Sequence, residues 1–323
     1  MQNTRLGRTG LEVSRLALGT WAFGGDWGSF DEDEARATIH RALELGVTFF
    51  DTAQAYGFGV SERLLADALW GAVPRDQVIV ATKGGLRLDV EDHLRRDASA
   101  HWLRYGVESS LRNLRTDYID LYQVHWPDHC TPAEETAAVL EDMVAEGKIR
   151  HFGVSNYSTK EMDELAGFGR VETLQPPYHM FHRDIESEIL PYAAKNDIGV
   201  LVYGPLAHGL LAGAMTSDTT FPVGDWRRRS RDFHGDRFAR NLQVVERLKV
   251  FGDRYGVPLA QLAVAWTVAH SAVDVAIVGA RRPNQIEALV PAADIRLSAW
   301  DRRRLDHILG DAARVEGPSP DAM

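Results

Sequence analysis

Eight short apolar runs, each followed by a stretch of helical periodicity, constrain this chain more than any other feature. The first four are RLALG (Arg15–Gly19), VTFFD (Val47–Asp51), VIVATK (Val78–Lys83) and YIDLYQVH (Tyr118–His125). The others are RHFGVSN (Arg150–Asn156), ETLQPPY (Glu172–Tyr178), IGVLVYG (Ile198–Gly204) and VDVAIVGA (Val273–Ala280). Runs of this kind read as strands. The segments between them carry helix signals. DEDEARATIHRALELG opens on acids suited to a helix N-terminus and stops at Gly46. TPAEETAAVLEDMVAEGK offers Thr131 as a cap, Pro132 in the first turn and Gly147 at the end. Eight strand–helix units in 323 residues predict an α/β fold, a (β/α)8 TIM barrel, as one domain over residues 1–323. A β-hairpin is expected before it in RLGRTGLEVSRL, with its turn at Arg8–Gly10. A doubly wound dinucleotide fold fits less well, because GGDWG after the first run lacks the GxGxxG spacing.

Nearly every run ends in a polar residue or glycine: Gly19-Thr20, Asp51, Lys83, His125, Ser155-Asn156, Gln175, Tyr203-Gly204 and Gly279-Ala280-Arg281. In a TIM barrel the C-terminal strand ends meet at one mouth, where the chemistry sits. Asp51, Lys83 and His125 come from three consecutive strands and are expected to converge there. Tyr56 follows in a glycine-flexed loop, AYGFG, which bends it back over the mouth. A polar insertion after the seventh strand, roughly Met215–Arg237, is expected on the same face.

These four groups suit one kind of chemistry. A tyrosine hydroxyl is a weak acid, with a pKa of about 10. An ammonium beside it stabilises the phenolate, which is the role open to Lys83. Asp51 can pair with Lys83 and hold it charged. His125 can hydrogen-bond a carbonyl oxygen or share the tyrosine's proton. Such a set serves a carbonyl whose oxygen gains a proton while its carbon gains a hydride, or the reverse. The hydride must come from a cofactor, usually a nicotinamide. Trp21, Trp27, Phe58 and Trp126 lie near these strand ends in sequence and are expected to wall a substrate pocket.

Eight segments also resemble, in order, signatures of the aldo-keto reductase superfamily, nearest to its bacterial stress-protein-type branch. They are GTWAFGG, DTAQAYGFGVSE, VIVATK, LRTDYIDLYQVHWPD, GKIRHFGVSNYS, QPPYHMF, YGPLAHGLLAG and IVGARRPNQIEAL, and they span nearly the whole chain. The resemblance implies an NADPH/NADP+ cofactor laid across the barrel mouth and the reduction of aldehydes or ketones, or the reverse. It implies Asp51, Tyr56, Lys83 and His125 as the catalytic set, with Tyr56 as general acid/base. It further implies that Ser155, Asn156 and Gln175 hold the nicotinamide carboxamide and that Tyr203 stacks on the ring. Backbone amides of Leu206, Gly209 and Leu211 would face the pyrophosphate, and Gly279, Arg281 and Gln285 the adenosine. Thr20, Trp21, Asp51, Gly204 and Pro205 complete the implied cofactor contacts.

Two positions depart from the family pattern. Gly204 stands where many relatives have serine, and Ala288-Leu289 where many have Glu-Asn, so adenine is expected against an apolar surface. In GARRPNQ, Arg281 and Arg282 are adjacent with no acid until Glu287, which favours the ribose phosphate of NADPH. The run WRRRSR reads as a solvated stretch, and its place after the seventh strand also allows Arg227 a role on the cofactor phosphates. A second implied reading is a cofactor-binding regulatory module, because the barrel also resembles potassium-channel β subunits. The short segment before TRLG favours the free enzyme.

Composition limits the partners. A net charge of −10 argues against nucleic acid. One cysteine, Cys130, rules out an internal disulfide and fits a reducing compartment. No stretch approaches the ~18 apolar residues of a membrane span, and the start lacks a signal-type apolar core. A cytoplasmic protein acting on a small carbonyl or alcohol is the expectation, with no metal, since no histidine pair has ligand spacing. His151, His179, His182, His208 and His234 are expected as surface residues or supporting residues around the site.

Overall fold

The computed structural model describes residues 1–25 and 27–320. An antiparallel hairpin, β1 (Asn3–Arg5) and β2 (Glu12–Ser14), comes first, with Gly7–Thr9 at its turn. Eight parallel strands follow: β3 (Leu16–Gly19), β4 (Phe49–Asp51), β5 (Ile79–Gly84), β8 (Ile119–Val124), β9 (Ile149–Ser155), β10 (Thr173–Gln175), β11 (Gly199–Tyr203) and β12 (Val275–Gly279). They close into a barrel in chain order. A small antiparallel pair, β6 (Leu86–Leu88) and β7 (Leu94–Arg96), leaves the end of β5. Around the barrel run α1 (Glu32–Glu44), α2 (Val60–Leu69), α3 (Ala100–Leu114), α4 (Ala133–Ala145), α5 (Thr159–Ala166) and α6 (Ile189–Lys195). Then come α7 (Gly235–Asp253), α8 (Leu259–Val268), α9 (Pro283–Leu289) and α10 (Ala299–Leu309). The predicted barrel, hairpin and seventh-strand loop are all present.

The period of two along a strand decides what the barrel interior sees. Ala17, Phe49, Ala81, Leu121, Leu201 and Ile277 pack together inside, and Leu6 and Val13 of the hairpin join them. Leu16, Leu18, Phe50, Val80, Tyr122 and Val154 have the opposite parity and pack in the layer shared with helix residues such as Ile39, Leu65 and Val107. The interior parity continues upward. Two residues beyond Ala17, Phe49, Ala81, Leu201 and Ile277 come Gly19, Asp51, Lys83, Tyr203 and Gly279; four beyond Leu121 comes His125. The same alternation that fills the barrel therefore aims these side chains into its mouth.

Three local expectations are corrected. Thr131 does not cap α4: its hydroxyl donates to Asp128 Oδ2 at 2.6 Å, and the cap position is Pro132. The loop after β11 is not merely polar, because Trp226 and Phe233 are buried in it and stack edge-on at 5.8 Å. His179, His182 and His208 are buried, not surface residues. His151 is half-buried against Glu172, and His234 is exposed.

Those three histidines lie beneath the end of the chain. Arg314 pairs with Asp184 at 2.5 Å, Val315 N donates to Phe181 O at 3.0 Å, and Glu316 N donates to Asp232 Oδ2 at 2.9 Å. The tail thus straps the loop after β10 to the loop after β11. The His179 ring lies 5.8 Å from that of His182 and 5.9 Å from that of His208. Burial holds all three pKa values down: His179 well below the ordinary value, His182 lowered, and His208 down to about 3, with Arg227 and His182 adding to the last.

The sign of the linkage is therefore fixed. Between about pH 6.5 and pH 3 the unfolded chain binds a proton at His208 that the folded chain does not. The stability this contributes is complete above 6.5 and is lost as the pH falls toward 3. His208 has φ 56°, a left-handed conformation that asparagine tolerates best among polar replacements. His208→Asn should therefore lose on the order of 2–3 kcal/mol less stability than wild type between about pH 6.5 and pH 4. Denaturant unfolding at each pH measures this, and an unchanged slope would contradict it.

Candidate active site

Asp51 ends β4, Lys83 lies one residue before the end of β5, and His125 directly follows β8. Register staggers them: Asp51 pairs with Ala81, two residues before Lys83, and Lys83 pairs with Gln123, two residues before His125. Lys83 is fully buried, and its ammonium donates to Asp51 Oδ1 at 2.6 Å and to Thr52 O at 2.9 Å. Its third neighbour is Tyr56 OH at 3.4 Å. Gln175 Nε2 holds the other Asp51 oxygen at 2.9 Å. Burial lowers the Lys83 pKa, and the Asp51 carboxylate opposes that shift.

Tyr56 reaches this pair through a turn with left-handed backbone on either side of Phe58. Gly57 and Gly59 have φ 64° and 95°. A Cβ on Gly24 would stand 2.8 Å from the Tyr56 carbonyl carbon, and one on Gly57 would stand 2.7 Å from Gly24 O. The two glycines let the loop after β3 close against the tyrosine's backbone. The Tyr56 ring meets His125 edge-on at 5.8 Å and stacks on Trp21 at 6.3 Å. Burial, with Lys83 nearby, holds the His125 pKa well below its ordinary value, so this imidazole is neutral at pH 7.

A cavity of about 610 Å³ opens above these residues. Trp21, Trp27, Leu86, Leu94 and Trp126 line it together with Tyr56 and His125. Ser155, Asn156, Gln175 and Tyr203 line it further along, then Arg227, Arg281, Arg282, Gln285, Ala288 and Leu289. Asn156 links its neighbours: Nδ2 donates to His125 O at 3.1 Å, and Oδ1 accepts from Tyr203 OH at 2.9 Å. Gly204, at φ 72°, turns the chain beside Tyr203 and lines the cavity with Pro205, Leu206, Gly209 and Gly279.

Some residues singled out in the sequence stand apart from the cavity. Phe58 is 40% exposed, and Thr20, Lys83 and Leu211 are buried; none of the four is among the lining residues. The amides of Gly209 and Leu211 both donate to Leu206 O at 3.0 Å. Gln285 Oε1 accepts from the amides of Arg281 and Arg282, so it caps the start of α9 while it lines the cavity. Cys130 is exposed and lies outside the lining. Sequence reading missed Leu86 and Leu94, whose hairpin is short and charged, and also His208, Pro318 and Pro320. No helix among the described residues is long and apolar enough to cross a membrane.

The lining suits an anionic ligand. Three arginines face the cavity, and Asp51, the sole acid among its described lining residues, is already paired. Comparison with known proteins agrees with this chemistry. Residues 15–309 match the Aldo/keto reductase family. The chain is 44% identical over 311 residues to aldo-keto reductase YhdN of Bacillus subtilis (strain 168), covering 96% of this chain and 94% of that one. It is 36% identical over 316 residues to an NADH-specific methylglyoxal reductase of Escherichia coli (strain K12), covering 93% and 96%. The glycerol dehydrogenase AKR11B4 from Gluconobacter oxydans superposes with a TM-score of 0.88 at 39% identity, covering 99% of this chain and 98% of that one. With the family's barrel, the buried Asp51–Lys83–Tyr56 arrangement and a match over most of its length, this chain belongs to the aldo/keto reductase family, as an oxidoreductase of the carbonyl–alcohol type.

Proposed function

We propose that the chain is an NADPH-preferring reductase of neutral aldehydes and ketones, or their alcohol dehydrogenase in reverse, with Tyr56 as the proton donor. The observation that carries this reading is the Lys83 ammonium, set between Asp51 at 2.6 Å and Tyr56 OH at 3.4 Å. A cation at that distance stabilises phenolate over phenol and brings the hydroxyl's acidity toward the working pH. His125 supports the assignment by elimination. As a neutral ring it carries no extra proton to give, so its part is to hydrogen-bond and orient the carbonyl oxygen. The nicotinamide, when bound, supplies the hydride. Ser155, Asn156 and Gln175 would hold its carboxamide. Because Gln175 Nε2 is spent on Asp51, its amide oxygen is the atom that would accept. The phenol side of Tyr203 would support the ring.

Around Tyr56 the lining is aromatic and aliphatic: Trp21, Trp27, Trp126, Leu86 and Leu94. Such walls favour uncharged substrates with an apolar body, because a carboxylate or ammonium would lose water there without gaining a partner.

Tyr56→Phe should keep cofactor binding and lose reduction by roughly two to four orders of magnitude, since only the proton goes. Lys83→Met should be nearly as inactive, with cofactor affinity again preserved. Steady-state assays with an aromatic aldehyde, beside a fluorescence titration of NADPH, read both. Near-normal turnover in Tyr56→Phe would remove Tyr56 as the acid.

Cofactor preference rests on this chain's own arginines, because one relative is named as NADH-specific. Arg281 lines the cavity, and its Nη2 is tied to Ser29 O at 2.6 Å, which fixes the guanidinium. Arg227 is held by Asp225 at 2.6 Å and by His208 O at 2.9 Å. Arg281 is therefore the better candidate for the ribose phosphate. Arg281→Ala should weaken NADPH about ten- to a hundredfold and leave NADH almost unchanged. Equal losses for both cofactors would mean that Arg281 supports the loop and does not read the phosphate.

A further inference from the structure

Ser61 lies in the first turn of α2, fully buried and outside the cavity lining. Its hydroxyl oxygen is 2.7 Å from Thr20 Oγ1 and 3.1 Å from Thr52 Oγ1. Thr20 Oγ1 in turn donates to the Asp51 main-chain carbonyl at 3.1 Å. Each hydroxyl has one proton to give. Thr20 spends its proton on Asp51, so Ser61 donates to Thr20, closest to Oγ1 at 2.7 Å with the Thr20 carbonyl oxygen at 3.1 Å, and Thr52 donates to Ser61. The result is a one-way chain from Thr52 through Ser61 and Thr20 to the Asp51 carbonyl. All three residues are 0% exposed, so water does not compete for any link.

The two ends of that chain are the two residues that hold Lys83. Asp51 does so with its carboxylate at 2.6 Å, and Thr52 with its carbonyl at 2.9 Å. Three separate elements meet at Ser61: the end of β3, the end of β4 and the start of α2. We propose that Ser61 is a positioning residue for the hydride-transfer site, its hydroxyl locking Asp51 and Thr52 in the geometry that keeps Lys83 charged beside Tyr56. This rests on the reading of Tyr56 as proton donor.

The site is sensitive to such support. Lys83 is buried, and burial alone favours its neutral form. The Asp51 carboxylate opposes that by its charge and its hydrogen bond, and Thr52 O accepts a further bond from the ammonium. Without the Ser61 hydroxyl, Thr52 Oγ1 loses its acceptor and Thr20 Oγ1 its donor in a dry interior, and both residues must re-pair by moving. As the acceptors loosen, Lys83 releases its proton at lower pH, and Tyr56 then titrates higher. The other titratable groups around the pair are His125 after β8, Tyr203 on β11 and Glu62 on α2. His125 is neutral, burial and Tyr56 hold the Tyr203 phenol protonated, and Thr82 and Asn113 hold Glu62 at 2.8 and 2.9 Å. None of the three is bonded to the Ser61 hydroxyl.

The test reads Tyr56 without turnover. Tyrosinate absorbance is titrated in the cofactor-free protein, and the same titration in Tyr56→Phe is subtracted to isolate Tyr56. Ser61→Ala should raise the Tyr56 midpoint by roughly one unit, and should lower kcat at neutral pH about tenfold with NADPH affinity within about twofold. Ser61→Thr, which keeps the hydroxyl, should restore the wild-type midpoint. Thr52→Val removes the first link with little change of shape and should reproduce the shift, so the test survives if Ser61→Ala folds poorly. An unchanged Tyr56 midpoint in both hydroxyl deletions, whatever their melting temperatures, would overturn the proposal and leave Ser61 as packing. Full turnover in Tyr56→Phe would overturn the reading of Tyr56 itself, independently of where the midpoint lies.

Discussion

Lys83 holds its ammonium behind Asp51 and Tyr56 with no exposure to solvent, and the rest of the site is arranged around that charge. A buried cation is stable only where partners replace the water it has lost. Asp51 and Thr52 supply them. The carboxylate is itself completed by Gln175 on its second oxygen, so both members of the ion pair are satisfied. Tyr56 then feels a fixed positive charge in a medium of low polarisability, where such a charge acts strongly. The same charge helps to keep His125 neutral. One interaction therefore fixes a positive charge beside the phenol and disfavours protonation of the imidazole.

The fold delivers this charge by the simplest rule a strand obeys. Ala81 fills the barrel, and Lys83, two residues on, points the same way. Phe49 and Asp51 repeat the pattern on the neighbouring strand. The interior below is packed with apolar side chains and closed by Leu6 and Val13, so water does not reach the pair from beneath. Above, the lining arginines give the cavity a positive character suited to phosphates. Loops after β10 and β11 and the tail around Val315 meet over the same mouth, held to one another by main-chain and carboxylate bonds.

Much of this was legible in the sequence because it depends on local pattern. The eight strands show as apolar runs, and their polar last residues mark the mouth; Asp51, Lys83 and His125 could be placed without knowing which helix packs where. What escaped depends on distance through the fold. His179, His182 and His208 carry no ligand spacing, and only the turn after β11 and the return of the tail bring them together. The hairpin LRLDVEDHLRR has too little apolar alternation to announce strands, yet it sets Leu86 and Leu94 over the cavity. WRRRSR looked solvated because its arginines dominate, whereas Trp226 is 9% exposed and anchors the loop. Thr131 looked like a cap because the residue type is right, but Asp128 claims its hydroxyl.

The chemistry proposed for this site is the direct transfer of a hydride from a bound nicotinamide to a carbonyl carbon. Reduction of an aromatic aldehyde with NADPH deuterated at the transferable position of the nicotinamide tests it most directly, with the alcohol examined by mass spectrometry and NMR. The account predicts one deuterium on the carbinol carbon, and none there when unlabelled NADPH is used in D2O. An alcohol that takes its new C–H from solvent, or that forms without consuming NADPH, would contradict it.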